Sequence, residues 1–245
     1  MHLFLTSSPC DNDVPAGVDL PCIFFERNAF VENMRDRVPE NAQLAVICAD
    51  PEAYELNDEM AKTFANCFEY HGMMISDIWV CDRRTCDEAA DMIPESDIIL
   101  LGGGHVPTEN EFFAEINLRM LLEGFEGVVI GVSAGSMNCA EVVYAQPEMP
   151  GESFNPNYRR FMFGLGLTEI NILPHYQKVK DMILDGDRLY EEITFGDSVG
   201  RAFVAMPDGS YILEENGVSL LFGEGYLVSE GRMEKICEEE EVVEL

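Results

Sequence analysis

In the segment GVVIGVSAGSMN, residues 127–138, one hydroxyl, Ser133, stands between Gly131 and Gly135 in the pattern G-x-S-x-G. An apolar run precedes it and a run of helix formers follows. A strand that turns into a helix through this pattern holds its serine in a strained backbone conformation, and small neighbours let the chain reverse without collision. The hydroxyl then stands above the strand's C-terminal end, with the first amides of the helix directed at whatever it attacks. That is the chemistry of a nucleophile in acyl transfer. The pentapeptide alone is a weak signal, because glycine-rich turns that bind phosphate, or only reverse the chain, share its form.

A second glycine turn strengthens it. Ile98-Ile99-Leu100-Leu101 runs into Gly102-Gly103-Gly104-His105, after which Pro107 and a capping box, Thr108-x-x-Glu111, open a helix. In a parallel sheet the strand C-termini share one edge, so both turns face one crevice. Glycine amides approach a carbonyl oxygen closely because no Cβ intervenes. The expected oxyanion hole is the N–H of Ala134 with that of Gly103 or Gly104, each donor contributing on the order of 3 kcal/mol to the transition state. The simpler reading is that these glycines only shape a tight loop.

A serine nucleophile needs a base, and the chain has four histidines. His2 begins the first apolar run, and His71, followed by Gly72, suits a helix C-terminus. His105 and His175 remain. His175 ends the run Ile170-Asn171-Ile172-Leu173-Pro174, at a strand's C-terminal end, and is the favoured base. For the carboxylate that orients it, Asp208 in Met206-Pro207-Asp208-Gly209 comes first and Glu148 in Gln146-Pro147-Glu148-Met149-Pro150 second. Both acids also suit plain turn roles.

These groups must be positioned by regular elements. Strands are expected at 2–7, 43–48, 75–81, 97–101, 128–132 and 168–173, with helices at 25–37, 54–70, 86–92, 108–123, 134–144 and 179–193. Nearly continuous Val/Ile/Leu runs suit a parallel sheet covered on both faces. After Gly200 the pattern changes to short strands at 202–206, 210–213, 218–222 and 226–229, with turns at Pro207-Asp208-Gly209 and Glu215-Asn216-Gly217. The expectation is an α/β fold: a doubly wound, mostly parallel sheet with a C-terminal antiparallel β appendage, in one domain spanning 1–245.

Composition excludes several function classes. Fifteen basic against 46 acidic side chains give a net charge of −31. Such a surface repels phosphate backbones and anionic lipid, so neither nucleic acid nor membrane is an expected partner. No apolar run approaches the roughly 18–20 residues of a membrane span. MHLFLTSSPC, without a basic leader, reads as a strand and not as a signal peptide. The eight cysteines lack C-x-x-C or zinc-ligand spacing, which points to reduced, mostly buried thiols in a cytoplasmic protein. No metal or cofactor is expected, and the chain is read as a monomer or homodimer. The acidic tail after Cys237 reads as solvated surface.

Taken together, LLGGG at 100–104, IGVSAGSMN at 130–138, the Pro147–Pro150 loop, NILPHY at 171–176 and MPDG at 206–209 resemble the dipeptidase E (aspartyl dipeptidase) family of serine peptidases. Cyanophycinase is a more distant relative. The resemblance implies a class I glutamine amidotransferase-like (flavodoxin-like) fold and a serine hydrolase acting on small peptides, with N-terminal aspartyl peptides as one substrate class. It implies Ser133 as nucleophile, His175 as base, and Asp208, where relatives tend to have glutamate, as third member; Glu148 has been proposed at the matching place. The family usually reads G-G-G-N where this chain has His105, which faces the expected substrate side. Its arginine-bearing loop after the histidine, which holds an acidic substrate side chain, is shorter here. Lys178, Lys180 and Arg188, or Arg159-Arg160, are the candidate cations in its place. Two other readings share some of these residues: an α/β-hydrolase-type esterase, and a non-catalytic ligand-binding member of the same fold. The glycine loop one strand–helix unit before Ser133 favours the amidotransferase-like frame.

Overall fold

In the computed structural model, which describes residues 1–245, the apolar runs pair into an eight-stranded central sheet. From one edge its order is Ile75–Cys81, Ala42–Ile47, Ile98–Leu101, Val128–Val132, His2–Thr6, Tyr211–Glu215, Val218–Phe222, Val242–Glu244. The first five run parallel and the last three are antiparallel. Side chains alternate through the pleat into two cores. Leu3, Leu5, Ile47, Leu101 and Val129 face one cluster, while Phe4, Leu44, Val46, Leu100 and Ile130 face the other. Continuous apolar strands are thus buried on both faces.

Each face has its own cover. Helix Tyr54–Tyr70 buries Ala61, Phe64, Ala65 and Phe68 at helical spacing, and Phe30–Arg35 adds Phe30, Val31 and Met34 on the same side. On the opposite side Val106–Glu115 contributes Phe112 and Phe113, and Ala134–Asn138 contributes Ala134 and Met137. A four-stranded sheet, in the order Ile172–Leu173, Ala202–Ala205, Gly225–Ser229, Arg232–Cys237, completes that side with Leu173, Phe203 and Val228.

Several elements differ from the sequence expectation, each for a local reason. The helix expected at 134–144 ends at Asn138, and Val142–Tyr144 pairs with Phe161–Phe163, as suits its β-branched residues. The segment 179–193 holds a hairpin, Ile183–Leu184 with Asp187–Arg188, whose turn is Asp185-Gly186 at positive φ, and then a π-helix, Leu189–Thr194. Asp-Gly between apolar residues is a hairpin signal that helical periodicity obscured. Asn117 at φ 54° breaks 108–123 into Val106–Glu115 and Leu118–Leu121. His105, not Thr108, caps the first of these, so the expected capping box is not formed. The helix expected at 25–37 is regular only over Phe30–Arg35, and 86–92 is a 3₁₀ turn followed by Ala89–Glu95. The strand expected at 168–173 is reduced to Ile172–Leu173 and lies in the second sheet. The C-terminal strands pair antiparallel with one another but divide: Tyr211–Glu215, Val218–Phe222 and Val242–Glu244 extend the central sheet beside His2–Thr6, and Ala202–Ala205, Gly225–Ser229 and Arg232–Cys237 join Ile172–Leu173 in the second sheet. No helix is long and apolar enough to cross a membrane.

All eight cysteines are unpaired. Cys10, Cys22 and Cys67, distant in sequence, bring their sulfurs within 4.8 Å of one another inside the core.

At the outer end of the strand that joins the parallel and antiparallel halves, Arg37 forks onto Glu215 at 2.9 and 3.0 Å, and His2 Nδ1 approaches the same carboxylate at 2.8 Å. The Arg37 hydrogen bonds, with His2 assisting against partial burial, bring the Glu215 pKa down to about 2. Because the unfolded value is about 4.3, this pairing stabilises the fold above that pH and its contribution fades as pH falls towards about 2. Glu215→Gln is expected to cost about 1 kcal/mol in urea unfolding at pH 7, discounted for solvent screening, and the deficit should close in acid.

Candidate active site

The strand Val128–Val132 delivers Ser133 at φ 52° and ψ −110°, a strained conformation for a residue with a side chain, and helix Ala134–Asn138 starts at once. The surroundings hold the turn in place. Ser133 N–H donates to Thr6 O at 3.0 Å, and Gly135 N–H donates to Gly102 O at 3.0 Å. The buried Ser136 hydroxyl accepts from Thr6 N–H at 2.8 Å and donates to Thr6 O at 2.9 Å. Thr6 Oγ1 donates to Gly131 O at 2.7 Å. Gly135 is required by space: an added Cβ would collide with the carbonyl oxygens of Leu101 and Gly102.

His175 follows the second-sheet strand Ile172–Leu173 and itself adopts φ 58°, ψ 29°. Its Nε2 lies 2.9 Å from Ser133 Oγ, and its Nδ1 lies 2.6 Å from Asp208 Oδ1. With Asp208 ionised, Nδ1–H donates to the carboxylate, which leaves Nε2 to accept the serine's hydrogen. Asp208 is well held. Ser7 Oγ donates to Oδ1 at 2.8 Å, Lys178 Nζ pairs with Oδ2 at 2.7 Å, and Arg27 Nη2 donates to the Asp208 carbonyl at 2.6 Å. Burial alone would raise the Asp208 pKa, but the hydrogen bonds from His175, Lys178 and Ser7 outweigh it and hold the group well below the usual carboxylate range.

The backbone N–H groups of Gly103, Gly104 and Ala134 have no acceptor within the protein. Gly103 lies against the nucleophile turn, where an added Cβ would stand 3.3 Å from Val132 O and 3.5 Å from Ser133 Cβ. An added Cβ on Gly104 would meet that of Ala49 at 2.7 Å. Three free donors therefore lie on the two turns that converge at the serine.

The cleft above the serine is lined by Gly104, Val106, Met137, Gln146, Pro147, Glu148, Pro174, Val179, Met182 and Leu189. Glu148 faces this cleft but makes no hydrogen bond to His175; it is an acid of the cleft wall. Desolvation by the wall raises its pKa, while the His105 imidazole, the Val106 amide and His175 favour its charge. His105 does not line the cleft as an open contact group. Its Nε2 pairs with Glu152 at 2.9 Å and its Nδ1 with Thr108 at 2.7 Å. Glu152 in turn accepts from the backbone N–H of Glu148 and Met149, both at 2.9 Å. Lys178, expected on the substrate, is paired with Asp208. Arg188 is exposed beside Glu191, Lys180 and Arg159 are exposed, and Arg160 is bound to Asp197. A roomier concavity between Asn110, Phe113, Asn117, Met120 and Phe163 has no serine, cysteine or histidine in its lining.

Ser7 was missed by sequence reasoning. Its hydroxyl accepts the His175 N–H at 2.7 Å while donating to Asp208, so it locks base and acid together. A signal did exist: Thr6-Ser7-Ser8 ends the first strand on the edge where the other reactive turns emerge. Ser136 and Glu152, without a motif of their own, were also missed.

The profile of peptidase family S51 matches residues 26–217. Among solved structures, a peptidase from an acI-B1 Actinobacterium superposes with a TM-score of 0.64 at 14% identity, covering 100% of this chain and 96% of that one. A protein of Listeria monocytogenes EGD-e with a provisional peptidase E designation superposes with a TM-score of 0.59 at 14% identity, covering 96% and 98%. These likenesses show a shared fold. No curated protein matches the chain in sequence.

The packing at the turn makes a direct prediction. Gly135→Ala should destabilise by about 3 kcal/mol, lowering Tm by roughly 5–10 °C in calorimetry, because backbone oxygens and not flexible side chains occupy the space.

Proposed function

Because the chain belongs to peptidase family S51, we propose that it is a serine-type peptidase that hydrolyses small peptides through an acyl-enzyme on Ser133. The observation that carries this reading is the unbroken hydrogen-bond chain from Ser133 through His175 to Asp208, at 2.9 and 2.6 Å. The frame is read as class I glutamine amidotransferase-like. In support, the nucleophile turn follows a central parallel strand and the glycine turn follows its neighbour.

In this mechanism Ser133 Oγ bonds to the scissile carbonyl carbon as its proton passes to His175 Nε2. The carbonyl oxygen takes the negative charge, and the N–H groups of Ala134 and of Gly103 or Gly104 receive it. Collapse breaks the C–N bond, and the Nε2 proton leaves on the amine. Water then attacks the acyl carbon and gives its proton to His175, which returns it to Ser133 Oγ as the acid departs. Asp208 remains ionised throughout, keeps the imidazole in the Nδ1–H tautomer and stabilises the imidazolium. Lys178 and Ser7 act on the base indirectly, by keeping Asp208 charged and in place.

A fluorophosphonate is expected to label the protein, with the adduct mapping to Ser133. Ser133→Ala should lower kcat for dipeptide hydrolysis on the order of 10⁶-fold; a variant that still turns over substrate would end the proposal. Asp208→Asn should cost about 10⁴-fold in kcat. A larger loss of labelling rate in Glu148→Gln than in Asp208→Asn would move the orienting role to Glu148.

A further inference from the structure

The chemistry of the cleft wall differs from what a site for acidic side chains requires. Its apolar side is Met137, Val179, Met182 and Leu189, and the last three also pack with Leu184 and Ile193 in a small cluster. Methionines in such a wall adapt to apolar groups of different shape. Apart from the His175 base, its one ionisable residue is Glu148. No lysine or arginine lines it, and the nearby cations are engaged or displaced: Lys178 on Asp208, Arg160 on Asp197, and Arg188 exposed beside Glu191. His105 is held by Glu152. The Glu148 carboxylate therefore pairs with no lysine or arginine, while Glu152 fixes the loop by accepting the backbone N–H of Glu148 and that of Met149.

A carboxylate in the wall of the cleft that holds Ser133, with no lysine or arginine lining it, suits an ammonium group. In a peptide cleaved after its first residue, the α-ammonium lies one carbon from that carbonyl, and the first side chain leaves the same carbon in another direction. An acidic side chain there would put a second carboxylate beside Glu148, against an apolar wall and within a chain of net charge −31. We propose, on the hydrolase reading above, that this cleft takes peptides with a free N-terminal amine, recognised by Glu148, and an apolar first side chain seated against Val179, Met182 and Leu189. Glu148 is thus the specificity acid of the site, and the His105–Glu152 pair positions the loop that carries it.

The test uses the full-length protein with Leu-Ala, Met-Ala, Asp-Ala and N-acetyl-Leu-Ala, alongside fluorophosphonate labelling of the same preparation. The expected kcat/KM for Leu-Ala and Met-Ala exceeds that for Asp-Ala and for N-acetyl-Leu-Ala by about 100-fold or more, the scale of a lost charged contact. Glu148→Gln should lower kcat/KM for Leu-Ala by at least about 30-fold, mainly through KM, and leave N-acetyl-Leu-Ala within about threefold of wild type. Labelling of Ser133 in that variant would show that the nucleophile turn is intact. Labelled wild-type protein that prefers Asp-Ala, or cleaves N-acetyl-Leu-Ala as well as Leu-Ala, overturns this inference and leaves the hydrolase reading standing. Neither labelling nor hydrolysis of any peptide overturns both.

Discussion

The Ser7 hydroxyl is the joint on which the reactive geometry rests. It accepts the backbone N–H of His175 and donates to the carboxylate of Asp208, so one group sets the position of the base and the direction of its acid. The residue before it, Thr6, does the same for the nucleophile, taking Ser133 N–H on its carbonyl and tying Ser136 by two further hydrogen bonds. The joint works because the first strand is inserted in the middle of the central sheet. It lies between the strand that ends in Ser133 and the antiparallel strand that begins just beyond Asp208. A shift of that strand by one residue would turn Thr6 and Ser7 to opposite faces and uncouple all three groups.

Electrostatics follow from the same placement. In a chain with threefold more acidic than basic side chains, a half-buried carboxylate is costly unless donors converge on it. Asp208 receives three side-chain donors, including one of the few lysines, and this holds it ionised. The use of Lys178 there removes it from substrate recognition. The cleft is left with an acid and an apolar wall, which bears on which peptides fit as well as on how they are cut. On the proposed reading, recognition and catalysis share one charge distribution.

Much of the architecture was legible in sequence wherever a segment's burial could be inferred from its own residues. The parallel strands expected at 43–48, 97–101 and 128–132 are near-continuous apolar runs, and the structure places them side by side within a residue or two of those limits. Where elements depend on partners, the reading failed. Val142–Tyr144 becomes a strand only because Phe161–Phe163 lies beside it, and Leu189–Thr194 follows a hairpin whose strands are two residues each. Helical periodicity cannot register such short pairings. The C-terminal strands were recognised as antiparallel, but local pattern does not say which of two sheets a strand joins.

The sequence by itself singled out the candidate groups, Ser133 between its glycines, the Gly102–Gly104 turn and a histidine at a strand end, because backbone reversal without a Cβ leaves a mark in composition. It placed Asp208 before Glu148 on turn context alone, and did not foresee that Lys178 would pair with Asp208 or that Ser7 would hold His175 and Asp208 together. Those outcomes belong to tertiary structure alone. Contacts between residues far apart in the chain depend on which strand lies beside which, and sheet order is decided by the packing of the whole core, not by any segment's own residues.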